Sequence, residues 1–188
     1  MRLLREVYEK AKVVRLGTKL ITVNEFTDQV PALRPAVLFE VAYEVIRLMD
    51  ITVDKIVTEE DKGAPLATVV SLLTGIPMAM ARWYTYSLES VNANVVNISS
   101  EYFEGELYLN GVEPGDKVAI IDDTLSTGGA AVSLVESIRK NGGEVVDVIC
   151  VVEKVQNNGS KYVFDKTGIE VKTIMKIMLS EQGVSVLS

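Results

Sequence analysis

Val118-Ala119-Ile120-Ile121-Asp122-Asp123-Thr124-Leu125-Ser126-Thr127-Gly128-Gly129-Ala130 is the stretch that decides the fold. An unbroken apolar run, suited to a central strand, leads into a pair of adjacent acids. A small, hydroxyl- and glycine-rich loop follows, and a helix then begins, marked by Ala131, Leu134, Val135 and Ile138. In an open α/β sheet, ligands collect beyond the carboxyl ends of the strands. A loop entering a helix presents unpaired N–H groups, and the helix dipole favours an anion there. Gly128 and Gly129 let the backbone approach a phosphate closely, and Ser126 and Thr127 add hydroxyl donors. Asp122 and Asp123 cannot face that phosphate directly, because like charges repel. They can accept hydrogen bonds from a ribose diol, or hold Mg²⁺ through water. Acids beside a phosphate cradle therefore point to a sugar phosphate with metal. Neither the G-x-x-x-x-G-K-[ST] spacing nor G-x-G-x-x-G occurs.

Working outward, Glu113-Pro114-Gly115-Asp116 is a turn, and Lys117 to Ile121 is the strand it opens. Asn141-Gly142-Gly143 ends the helix, Glu144 to Glu153 is the next strand, and Ile169 to Ile174 is a last one. Upstream, the first residues read as an amphipathic helix. Pro35 opens another, along which Val37, Leu38, Val41, Ala42, Val45, Leu48 and Met49 recur at helical spacing. Asp54 to Thr58 reads as a strand and Glu59 to Gly63 as a loop. A helix over Ala64 to Thr74, a Gly75-Ile76-Pro77 turn and a strand over Met78 to Arg82 follow. Val91 to Ile98 and Glu106 to Leu109 are extended. Strands alternating with helices at this spacing predict an α/β fold, a mostly parallel sheet covered by helices, in a single domain over 1–188.

Composition narrows the chemistry. The 188 residues carry 19 Lys+Arg against 26 Asp+Glu, a net charge of −7, with no basic run, which argues against nucleic-acid binding. There is no His, so His-based acid/base chemistry and Ser-His-Asp arrangements are excluded. A single cysteine, Cys150, lies inside the apolar run Val148 to Val152 and reads as a core residue, consistent with a reducing, cytoplasmic setting. Gly63 to Ala81 is free of charge, but Pro65, Gly75 and Pro77 interrupt it, so no membrane span is expected. The N-terminal stretch has no long apolar segment and does not read as a secretory signal.

The segment 118–130 resembles the phosphoribosyl pyrophosphate (PRPP) motif of type I phosphoribosyltransferases: an apolar strand, paired acids, a short variable stretch, then T-G-G. The resemblance covers roughly residues 20 to 155. Glu25-Phe26-Thr27-Asp28-Gln29-Val30-Pro31 resembles the segment near the base pocket of purine-type members. Asp54 to Thr58 with Glu59-Glu60-Asp61-Lys62-Gly63 resembles their strand and pyrophosphate loop. Arg82, Tyr86 and Leu88, followed by Gly105 to Gly111, are similar to the archaeal purine branch, named hypoxanthine/guanine or adenine phosphoribosyltransferase.

The resemblance implies a twisted, mostly parallel sheet flanked by helices, with a small hood, a mobile lid over Trp83 to Gly105, and a homodimer. It implies transfer of the 5-phosphoribosyl group from PRPP to a purine, giving the nucleoside 5′-monophosphate and pyrophosphate, with Mg²⁺ bridging pyrophosphate and ribose oxygens. Asp122 and Asp123 would hold the ribose hydroxyls, Asp123 being also a catalytic candidate. Thr124 and Leu125 lead into the phosphate cradle formed by Ser126, Thr127, Gly128, Gly129 and Ala130. Asp61, Lys62 and Gly63 would form the pyrophosphate loop, with Lys62 neutralising charge, or Lys62 is a plain surface lysine. Arg82 would touch pyrophosphate or the base-side loop. Phe26 would build the base pocket, or it is core only. Glu101 resembles the lid glutamate of adenine-type members and is the acid/base candidate, or an ordinary solvated acid.

Ala130 stands where many members carry Thr, and Ser126 where one hypoxanthine/guanine group carries an Asp proton acceptor. Trp83 to Asn97 contains no Lys or Arg, which argues against the orotate members with their Lys-rich lid. The alternative to an enzyme is a non-catalytic PRPP- or nucleotide-binding regulator on the same fold.

Overall fold

The computed structural model describes residues 1–82, 94–99 and 104–187. A short helix α1 (Leu3–Glu9) buries Leu4, Val7 and Tyr8. It leads to a hairpin of β1 (Lys12–Leu16) and β2 (Lys19–Val23), which turns at Gly17 with φ +59. Asn24 caps the single-turn helix α2 (Glu25–Asp28), its side chain accepting from the Phe26 and Thr27 N–H groups. Helix α3 (Pro35–Leu48) opens on proline, whose missing N–H costs nothing in a first turn. Then come β3 (Lys55–Glu59), α4 (Ala64–Thr74), β4 (Met78–Arg82), β5 (Asn94–Ser99) and β6 (Glu104–Leu109). The last third holds β7 (Lys117–Leu125), α5 (Gly129–Lys140), β8 (Glu144–Lys154), α6 (Gly159–Thr167), β9 (Val171–Ser180) and β10 (Gly183–Leu187).

The main sheet has the order β10-β9-β8-β7-β3-β4-β6-β5. Its centre, β9-β8-β7-β3-β4, is parallel, and the flanking pairs are antiparallel. Both faces of the centre are covered, as a parallel sheet requires. Along β7 the side chains alternate: Val118 and Ile120 join the core under α5, with Leu134, Val135 and Ile138. Ala119 and Ile121 join the opposite core, with Val41 and Val45 of α3 and Leu66 and Val70 of α4. Cys150 falls in the α5-side core, 1% exposed, where burial pushes its thiol pKa up.

This topology places a ligand site. From β3 the chain crosses through α4 to β4 on one side, and from β7 through α5 to β8 on the other. The connections diverge between β3 and β7, and that divergence opens a crevice at the carboxyl ends of the strands.

The expected fold is present, with shifted bounds and additional elements. Strand β7 continues beyond Ile121, so Asp122 and Thr124 still pair with Cys150 and Val152 of β8. The acids therefore sit in the sheet rather than in a loop. The β1–β2 hairpin, α6 and β10 escape the sequence reading because they bury little: β1 leaves four of its five positions exposed, and short, half-exposed elements carry no clear periodicity.

Candidate active site

A cleft opens at the carboxyl ends of β3 and β7, with about 850 Å³ of empty space including its mouth. Its floor is the acid pair. Asp123 is 6% exposed. The Asp123 N–H donates to Asp122 Oδ1 at 2.9 Å, and Thr124 Oγ1 donates to Asp123 Oδ2 at 2.7 Å. Burial raises the pKa of both carboxyls; the charge of Asp123, then that of Glu59, raises Asp122 further. Glu59, the last residue of β3, lies in the same cleft, and burial followed by the charges of Asp61 and Asp123 pushes it to about 7. So much crowded negative charge favours protons, or a cation, in the cleft.

One wall is the turn from β7 into α5, where Leu125, Ser126, Thr127, Gly128, Gly129 and Ala130 all line the space. Gly128 has φ +85, and a Cβ there would come within 2.8 Å of the Gly159 carbonyl oxygen and of Val163 Cγ2. Glycine is thus demanded both by conformation and by its proximity to α6. The approach is mutual, since a Cβ on Gly159 would stand 2.3 Å from the Ser126 carbonyl oxygen. Asn157 Nδ2 donates to Ser126 Oγ at 2.7 Å. The connection from β8 to α6 therefore props the loop from behind. Among the described residues no side chain caps α5, whose first backbone bond back to the cap runs from Val132 N to Gly128 O at 3.0 Å. The amides before Val132 are offered to whatever anion enters.

The opposite wall follows β3. Gly63 packs against the floor so tightly that a Cβ would lie 2.5 Å from Thr58 Oγ1 and 2.9 Å from Asp122 Oδ1. Asp61 and Lys62 line the cleft. Lys62 Nζ also pairs with Asp28 Oδ1 at 2.8 Å, tying this loop to α2. Burial opposes both charges, but the hydrogen bond between them leaves Lys62 raised and Asp28 lowered.

The structure thus gathers Asp122 to Ala130 with Asp61 and Lys62, and sets Gly63 against them. Arg82 is not among the described residues that line the cleft, and it pairs with Glu60 at 3.2 Å. For Phe26 the burial matches the core reading of the two. It is 3% exposed and packs in the α3-side core, while its neighbour Thr27, with Thr22, faces the cleft. Glu101, and most of the expected lid, lie outside the described residues.

Lys154 is the main functional candidate that sequence reasoning passes over. It ends β8, is 1% exposed and lines the cleft. The signal is present in the sequence: a lysine following the apolar run Val148 to Val152, one strand over from Asp122, obeys the same carboxyl-end rule. Glu59 carries the same signal on β3.

The sequence matches the phosphoribosyl transferase domain family over residues 34–187. It is 40% identical, over all of both chains, to a protein of Methanothermococcus okinawensis named hypoxanthine/guanine phosphoribosyltransferase. A protein of the same name from Methanocaldococcus infernus is 39% identical over 93% of each chain. Among solved structures, adenine phosphoribosyltransferase from Thermoanaerobacter pseudethanolicus superposes with a TM-score of 0.74 at 21% identity, covering 92% of this chain and 99% of that one. The Trypanosoma brucei enzyme, solved with AMP, pyrophosphate and ribose-5-phosphate, gives a TM-score of 0.74 at 16% identity, covering 93% and 79%. With a type I phosphoribosyltransferase architecture and a family match over most of its length, the chain belongs to the phosphoribosyl transferase family.

Proposed function

We propose that the protein is a purine phosphoribosyltransferase of purine salvage, acting on hypoxanthine or guanine with PRPP. The observation that carries this is one cleft holding an acid pair and an uncapped helix start, at the point where the sheet's connections diverge. In this reading the amides and hydroxyls of 126–131 take the 5′-phosphate, and Asp122 and Asp123 accept hydrogen bonds from the ribose diol. Lys62 faces the pyrophosphate, with Asp61 beside it on the same loop. As pyrophosphate leaves, C1 of the ribose becomes cationic, and the negative charge of the nearby acid pair stabilises it.

Magnesium fits this donor set, because the carboxylates of Glu59, Asp61, Asp122 and Asp123 surround the place of a polyanion. Among the described residues no three carboxylates converge as metal ligands, so Asp122 and Asp123 would hold the ion through water. A bound ion would supply positive charge against the leaving pyrophosphate.

The preference for a 6-oxopurine rests on the named relatives and on Lys154. An ammonium in the cleft attracts the carbonyl oxygen of hypoxanthine or guanine and repels the 6-amino group of adenine. The same reading takes 1–188 as one domain, working in the cytoplasm as a homodimer. Phe39 and Tyr43 on α3, with Leu72 on the adjacent α4, leave 46%, 58% and 78% exposed apolar side chains for a second copy. Incubation with PRPP, Mg²⁺ and each purine, with chromatographic detection of mononucleotides, tests the reading. IMP and GMP are the expected products. PRPP binding without product from any base would instead mark a regulator.

A further inference from the structure

Helix α1 sends Tyr8 into the molecule, 1% exposed. Its hydroxyl is buried with no hydrogen-bond partner among the described residues. Phenylalanine would fill the same space without that cost, so fold stability alone gives no reason for the oxygen. The surroundings supply one. The charges of Asp123 and Asp28 and the polar side chains of Thr124 and Asn24, all at or beside the cleft, bear on the hydroxyl, and none of them stands in hydrogen-bonding geometry to it. Asn24 Oδ1 already accepts from the N–H groups of Phe26 and Thr27, and its Nδ2 donates to Thr27 Oγ1 at 2.9 Å. Asp28 Oδ1 is taken by Lys62, and its Oδ2 by Asn24 N and Thr27 Oγ1. Thr124 Oγ1 spends its one proton on Asp123 Oδ2, at 2.7 Å, and still has lone pairs to accept with.

We propose that Tyr8 is a positioning residue for the sugar site: when PRPP fills the cleft, the Tyr8 O–H donates to Thr124 Oγ1. Thr124 is thereby held as the donor to Asp123, and the Asp123 carboxylate is fixed where it meets the ribose diol. The inference rests on the PRPP reading of the cleft. It makes α1, some 115 residues earlier in the chain than the acid pair, part of the machinery that grips the substrate.

Tyr8→Phe tests it. The melting temperature should equal or exceed that of the unmodified protein. The KM for PRPP should rise about three- to tenfold, the range expected for one hydrogen bond, with kcat and the KM for the base nearly unchanged. In a Thr124→Val background, adding Tyr8→Phe should raise the PRPP KM no further. An unchanged PRPP KM in Tyr8→Phe, a lowered melting temperature, or effects that add fully in the double variant would each overturn the proposal. Titration calorimetry of the unmodified protein with Mg²⁺-PRPP separates the two layers. Absence of binding there removes both the PRPP reading and this inference; binding with any of those three outcomes removes the inference alone.

Discussion

Lys62 Nζ and Asp28 Oδ1 stand 2.8 Å apart, joining the loop after β3 to the single turn of α2 across 34 residues of chain. Lys62 thus arrives in the cleft already oriented, and Asp28 partly offsets its charge. Lys62→Met should raise the KM for PRPP roughly tenfold, the effect of removing one charge-assisted hydrogen bond. Steady-state kinetics checks it. Asp28→Asn keeps the shape and releases the lysine, so its effect on the PRPP KM should be smaller.

Asp123→Asn leaves the side-chain outline intact and takes a buried negative charge out of the floor. PRPP binding should weaken by about 10- to 100-fold, the value of hydrogen bonds to a charged acceptor, as calorimetry would report. Because burial raises the carboxyl's pKa, the variant without ligand should melt no lower than the parent.

Gly63→Ala places a methyl group at 2.5 Å from Thr58 Oγ1 and 2.9 Å from Asp122 Oδ1. Overpacking of this kind costs about 1–3 kcal/mol. Thermal unfolding should show a lower Tm. The PRPP KM should rise as well, because the displaced atom belongs to the acid pair.

Glu59 supplies a pH signature. Its carboxyl, ordinarily near 4.5, is pushed to about 7 in the folded protein. The folded state therefore holds a proton that the unfolded chain has already released. Stability is full below about 4.5, falls as pH rises towards 7 and levels off above it. Asp122 and Asp123, also raised by burial, act in the same direction. Glu59→Gln should flatten the decline of Tm between pH 5 and 7 by a few degrees, read by scanning calorimetry without ligand.

Lys154→Met should lower kcat/KM for hypoxanthine and guanine by at least about tenfold, as removing a polar partner of the base does, while leaving Mg²⁺-PRPP binding nearly unchanged. Competition assays with both substrates check the split.

The core of this account was legible in 118–130 because several constraints coincide there. The strand needs apolar residues on both faces, the loop needs glycine at Gly128, and the acids have no structural reason to end a buried strand. The sequence also marks Lys62 and Asp61. It does not show that Asp28 pairs with Lys62, because an ion pair between α2 and the β3 loop leaves no periodicity. Phe26 is ambiguous in the sequence for a related reason. An aromatic beside a polar segment suits a base pocket and a core equally, and only the direction of a single helical turn decides between them. Tyr8 and Lys154 look like ordinary helix and strand-end residues until burial is known.

The central claim is that residues 122–130 hold a phosphorylated ribose. A crystal structure with Mg²⁺ and PRPP, or with IMP, tests it most directly. The account predicts the 5′-phosphate against the amides that open α5 and the ribose 2′- and 3′-hydroxyls on Asp122 and Asp123. A phosphate bound elsewhere, with those carboxylates turned away from the sugar, would contradict it.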